Sequence, residues 1–185
     1  MALPKIKTPE FILEVPSTLE EITYRPFLVG EEKVLLMALE SEDAKQTYNA
    51  VMRLVHSCTN GLVGNPHDPI FDIEFAFLKI RGKSVAETIE LNILCPDDKK
   101  TYADVELDLN EVKVQVGDDH TNKIELTKDM GMIMTYPTID SFRDSGIRDI
   151  NASNMLDVIS GCIMQIYEEE GKKIYDPKDQ TRKEL

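Results

Sequence analysis

A chain of 185 residues with 42% apolar and 30% charged side chains has ordinary globular composition, and its length suits one domain with a sizeable core. Its 34 acidic against 21 basic residues give a formal charge of −13, which repels phosphate backbones and anionic bilayers and argues against nucleic acid or membrane as the partner. No apolar run reaches the roughly 18 to 20 residues of a membrane span, and the N-terminal MALPKIKTPE lacks the apolar centre of a signal peptide.

Residues 1–28 carry Pro4, Pro9, Pro16 and Pro26 between short apolar runs such as Phe11, Ile12, Leu13 and Val15, which predicts an extended arm with turns. Phe11 and Leu13 have no obvious partner within the chain. Pro26 then biases Arg25 toward extended backbone, and Glu31 and Glu32 suit the positive end of a helix continuing through Val34, Leu35, Ala38 and Leu39. A second helix follows from Ala44, Thr47, Tyr48, Val51, Leu54, Val55 and Cys58 at helical spacing, with Ser41 as its N-cap and its end near Gly61. Residues 70–81 fit both periods. The length of the run, and Asp68-Pro69 as N-cap and first helical residue, favour helix.

The period changes near Glu87. Ile89, Leu91, Ile93 and Cys95 alternate with Glu90 and Asn92, and after PDDKK Val105, Leu107 and Leu109 alternate with Asp104, Glu106 and Asp108. This predicts a β-hairpin with one apolar and one acidic face. Val112, Val114 and Val116, then Ile124, Leu126 and residues 132–136, extend it into an antiparallel meander. Helical spacing returns at Met155, Val158, Ile159, Cys162, Ile163 and Ile166, capped by Asn151 or Ser153 and fading at residues 168–171. At the end, Asp176-Pro177 and the capping-box pattern from Thr181 to Glu184 start a helix that stops at Leu185, which reads either as a frayed, solvated tail or as a docking element completed by another chain or by residues this polypeptide lacks.

The expected fold is α+β in a single domain, residues 1–185. It comprises the extended N-terminal arm (1–28), a helical part (29–86), an inserted antiparallel β part (87–136), and a C-terminal helical part with a tail (137–185).

The residues that could carry chemistry do not assemble into a motif. His56, Cys58, His67 and Cys95 lack the paired spacing of a zinc site, and Asp97, Asp98, Asp118, Asp119 and His120 lack the glycine and terminal glutamate of a calcium loop. Cys58, Cys95 and Cys162 have no framework spacing, which predicts reduced thiols and no disulfide. No serine or cysteine stands in a nucleophile motif, and residues 61–64 (GLVG) are too short for a phosphate loop. The sequence therefore predicts no catalytic residue, no metal and no cofactor. For binding it offers Arg25, Pro26 and Phe27 at the arm-helix junction, with Phe27 the core anchor, then the stripe Asp104, Glu106 and Asp108, the run Met130, Met132 and Met134, and Leu185.

The stretch ITYRPFLVGEEKVLLMALE, residues 22–40, together with KSVAETIELNILCP and KIYDPKDQTRKEL, is similar to the baseplate hub and hub assembly protein family of T-even-type tailed phages. The similarity is strongest over residues 1–60 and weakest around 113–122. It implies a non-enzymatic virion-assembly role in the host cytoplasm, late in infection, and a place in the virion baseplate. The implied partners are other baseplate hub or tape-measure proteins, or a second copy of the chain. Arg25, Pro26 and Phe27 carry over as signature positions. A tail assembly chaperone for the tape-measure protein is the alternative role. A metal-dependent hydrolase using His56, His67 and Asp98 is the reading from a different class.

Overall fold

The computed structural model describes residues 8–141, 155–168 and 173–175. Among them are strands β1 (Phe11–Glu14), β2 (Glu21–Tyr24), β3 (Thr88–Leu94), β4 (Tyr102–Asp108), β5 (Lys123–Glu125), β6 (Met130–Met134), β7 (Ile163–Glu168) and β8 (Lys173–Tyr175). The helices are α1 (Val29–Glu40), α2 (Ala44–Cys58), α3 (Ile70–Ser84) and α4 (Met155–Gly161). The fold is α+β, with small antiparallel sheets ordered β1-β2, β3-β4 and β5-β6-β7-β8. Contacts group the chain into two compact units, Met1–Asn65 with Phe71–Val114, and Pro66–Ile70 with Gln115–Leu185.

The first unit holds a continuous core. Leu13 and Val15 from the arm, Tyr24, Leu54, Val55 and Cys58, Ile73, Ala76 and Ile80, and Leu109 are all buried there. The arm is a hairpin in which Phe11 faces Tyr24 and Leu13 faces Ile22. The expectation that Phe11 and Leu13 lack partners within the chain is therefore wrong. Leu13 is buried, and the Phe11 ring meets Tyr24 at 5.7 Å under the Lys83 ammonium at 5.4 Å. The turn after β1 is held by the buried Asp72 in the first turn of α3, which accepts from the Ser17 N–H at 3.0 Å and from the Ser17 hydroxyl.

The expected spacings of α2 and α3 are observed, with Ile73 and Ile80 enclosed in the core. The caps differ. Asp43, not Ser41, is the N-cap of α2, its carboxylate accepting from the Lys45 N–H at 2.9 Å, while Ser41 closes α1 by donating to the Ala38 carbonyl at 2.7 Å. Two short polar residues stand two apart, and the second is the one beside the first free N–H groups. Helix α3 starts at Ile70, so Pro69 is not its first residue as expected but stands before it, bridged to Thr138. At the end of α2, Asn60 adopts positive φ (54°) and the Gly61 N–H reaches back to the His56 carbonyl at 2.8 Å, the longer bond of a Schellman motif.

The β part departs from the expected meander in three ways. Residues 112–116 form no strand, because the Lys79 ammonium takes the carbonyls of Leu109, Asn110 and Val112 at 2.8, 3.1 and 3.0 Å and pins this loop to α3. Strands β3 and β4 pair only with each other, in the register Ile89 to Leu107, Leu91 to Val105 and Ile93 to Ala103. Residues 163–168, expected to continue the last helix, form β7 between β6 and β8. Gly161 ends α4, and Ile163, Ile166 and Tyr167 that follow are good strand formers, Ile163 pairing with β6 and Ile166 and Tyr167 with β6 on one side and β8 on the other.

In the second unit the described core is thin. Among its described residues Cys162 is the one buried apolar side chain. Tyr167 lies directly across from Gly131, where its ring fills the space a side chain would take. The expected caps Asn151 and Ser153, the helix start at residues 176–184, and Leu185 lie outside the described residues.

The three cysteines are free thiols: Cys58 and Cys162 are buried and Cys95 is partly exposed. Burial pushes the Cys58 thiol up to about 11, helped by the nearby Glu31 charge and opposed by Arg25, and burial raises Cys162 as well. Under native conditions a thiol-specific reagent should therefore modify Cys95 first, and Cys58 and Cys162 on the timescale of unfolding. Mass spectrometry of partially labelled protein checks the order, and early labelling at Cys58 would contradict its enclosure in the core.

Candidate interaction site

The junction between the arm and α1 is built around Arg25. Pro26 and extended backbone carry the chain out of β2, and the Arg25 N–H anchors to the Cys58 carbonyl at the end of α2 at 3.0 Å. The guanidinium then makes a two-pronged pair with Glu31, at 2.9 Å from Nη1 and 2.8 Å from Nη2. It also donates to the Pro26 carbonyl at 3.0 Å and the Ser57 hydroxyl at 2.9 Å. Glu31 sits in the first turn of α1, accepting from the Ser57 hydroxyl at 2.6 Å and from the Leu28 N–H at 2.7 Å, which serves one of the N–H groups left open at the helix start. The Arg25 bond, then the Ser57 and Leu28 bonds, hold the Glu31 carboxyl down to about 2 against the opposing effect of burial.

This cluster is an internal clamp. Its side chains are about one-fifth exposed and tie β2, α1 and the end of α2 together, so Arg25 is committed within the chain. Phe27 is only partly buried, and its N–H donates to the Ser84 hydroxyl at 3.0 Å, which fastens the same junction to α3. Phe27→Ala should cost about 1 to 2 kcal/mol, below the roughly 3 to 5 of a fully enclosed phenylalanine. Denaturant unfolding measures this directly, and a larger loss would mean that the ring carries more of the core than its exposure indicates.

What the clamp orients is α1, and α1 is unusual. None of its residues is buried, although residues 34–39 are apolar without interruption. Val29, Val34, Leu36, Met37 and Leu39 are all more than half exposed. The β3-β4 hairpin shows the same character: its apolar face, with Leu91, Ile93, Val105 and Leu107, is exposed, contrary to the usual burial of one face.

On the other face of the hairpin Glu106 stands directly opposite Glu90, a like-charge pair, while Asp104 accepts from the Asn92 amide at 2.5 Å. Asp108 turns to the loop, accepting from the Asn110 N–H at 2.8 Å. The acidic stripe is legible from alternation; the exposure of α1 is not, because the same run would serve equally well inside a core.

The other candidates fall into local roles. Asp98 closes the β3-β4 turn, accepting from the N–H groups of Lys100 and Thr101, and the Thr101 hydroxyl first, then these N–H groups, hold its carboxyl down to about 2. His67 is exposed and pairs with Asp140 at 3.0 Å. The His56 ring lies against Gly61. Among the described residues no three His, Cys, Asp or Glu side chains gather as metal ligands, and no helix is long and apolar enough to cross a membrane. Met132 and Met134 lie partly buried in the sheet of the second unit, and Met130 is exposed at its end.

An acidic α+β chain whose main polar cluster is a structural clamp, and whose apolar side chains stand out on a helix and a hairpin, has the character of an assembly component. The model of the family described as T4 bacteriophage base plate protein matches residues 8–185, and the chain belongs to that family. Membership makes it a phage baseplate protein and implies contacts with other baseplate proteins. No curated protein and no solved structure matches the chain.

Proposed function

We propose that the chain is a non-enzymatic hub subunit or hub assembly factor, working by protein-protein contact while the tail is built in the host cytoplasm. The observation that carries this reading is the exposed apolar helix α1 in a chain matched to the baseplate family over residues 8–185. Helices with apolar side chains on all faces belong inside larger bodies. In this reading Arg25, Pro26 and Phe27 direct α1 toward a partner, and Asp104, Glu106 and Asp108 give the hairpin a face for basic side chains.

The test is a protein inventory of baseplates and of assembly intermediates purified from infected cells. A hub subunit is present in both. A hub assembly factor is present in the hub intermediates and absent from the finished baseplate. Recovery with the tape-measure protein instead, and with no hub protein, would replace this reading with the chaperone role. Absence from every tail and baseplate intermediate would end it.

A further inference from the structure

Resting on that reading, we propose that α1 is the docking surface for a basic amphipathic helix of a different polypeptide. Six successive apolar residues exceed the 3.6 of one helical turn, so every direction around the axis of α1 carries an apolar side chain. Helix α2 provides one neighbour; Leu35 and Ala38 are half-buried, and the Thr47 hydroxyl donates to the Ala38 carbonyl at 3.2 Å. Leu36 and Leu39 emerge on one flank and Val34 and Met37 on the other, each pair three residues apart as a helix laid alongside requires.

Charge decides between a second copy and a foreign partner. Lys33 is the one basic residue of α1, whereas Glu32, Glu40, Glu42 and Asp43 line the helix and the turn beyond it. Two copies packed parallel on α1 would set Glu40 beside Glu40; packed antiparallel over residues 34–39 they would pair Lys33 with Glu40 but set Glu32 at the acidic turn that holds Glu42 and Asp43, between chains each carrying −13. A partner helix with lysine or arginine flanking an apolar stripe meets the same surface with opposite charge. The exposed apolar patch, on the order of several hundred Å², is below the roughly 800 Å² per partner of a stable interface, so charge at the rim has to add to it.

The experiment uses the full chain with two synthetic peptides, leucine and lysine patterned at helical spacing, and the same pattern with glutamate for lysine. The expected result is binding of the lysine peptide alone, weakened about tenfold or more by Leu36→Ser with Met37→Ser and by about 1 M salt, which shortens the screening length to about 3 Å. Glu21→Lys, a charge reversal at an exposed position of β2, should leave it unchanged. Both serine substitutions are at exposed positions, and an unchanged thermal transition confirms that the fold survives.

Equal binding by the serine variant would mean attraction by bulk charge and would overturn the proposal. Concentration-dependent dimerisation of the native chain that the serine pair abolishes would also overturn it in favour of a second copy. If the serine pair abolishes recovery with baseplate proteins while the lysine peptide never binds, the assembly role stands and a basic helix is the wrong partner.

Discussion

Gly64→Ala should destabilise the protein by about 2 to 5 kcal/mol, the sum of the roughly 1 to 2 kcal/mol strain of a left-handed backbone and the roughly 1 to 3 kcal/mol of forcing a close contact in a packed interior. Gly64 is buried at φ +103°, and a Cβ there would stand 2.6 Å from the His56 nitrogen and 2.6 Å from the Met52 carbonyl oxygen. These atoms are four residues apart in α2, the two ends of one helical hydrogen bond, so neither can yield without opening the helix. Gly30 is the control of opposite sign. It lies in the first turn of α1, where an added Cβ would meet nothing within 4 Å, and Gly30→Ala should stabilise by up to about 1 kcal/mol. Urea unfolding of the two variants beside the native chain reads both, and a loss below about 1 kcal/mol at Gly64 would refute the close approach of this loop to α2.

The sequence makes some of this visible and hides the rest for physical reasons. Spacing locates α2 and α3, since Leu54, Val55 and Cys58, and Ile73 and Ile80, both recur at helical period and fill the core. Alternation locates β3 and β4, but does not tell that their apolar face stands exposed, because a strand pattern is the same whether its cover comes from the chain or from a partner.

Residues 163–168 mislead because Ile163 and Ile166, three apart, fit a helix, while the hydrogen-bonding partners that make them a strand lie far off in β6 and just beyond in β8. The missing strand at 112–116 depends on Lys79, whose effect on the carbonyls of Leu109, Asn110 and Val112 no local pattern announces. At the candidate site, Arg25 and Glu31 both stand out in the sequence. That Arg25 pairs with a nearby carboxylate is legible too, but not that the carboxylate is Glu31, because Glu31 is already accounted for by the helix dipole, and Ser57, which bonds both, lies 26 residues beyond Glu31.

That pairing supports the second large prediction. Glu31→Gln should cost about 2 to 3 kcal/mol at neutral pH, since a charge-assisted hydrogen bond contributes about 1.5 to 3 kcal/mol and the partial exposure of the pair limits what its Coulomb attraction adds. The cost should also depend on pH in a defined direction. The Glu31 carboxyl is depressed from 4.5 to about 2, so its contribution is fully present above pH 4.5 and is lost as the pH falls toward 2. Arg25 stays protonated throughout, its own value being raised by the bond to Glu31.

Asp98 and other depressed carboxyls titrate over the same acid range, so the native curve alone cannot isolate Glu31. The difference between native protein and Glu31→Gln can: it should be constant from pH 7 to about 5 and shrink steadily below 4.5. Arg25→Lys keeps the charge but not the two-pronged geometry, and should recover only part of the stability lost in Arg25→Ala. A difference that does not change between pH 5 and 2.5 would show that the Glu31 charge is unimportant to the clamp, leaving only its hydrogen bonds to direct α1.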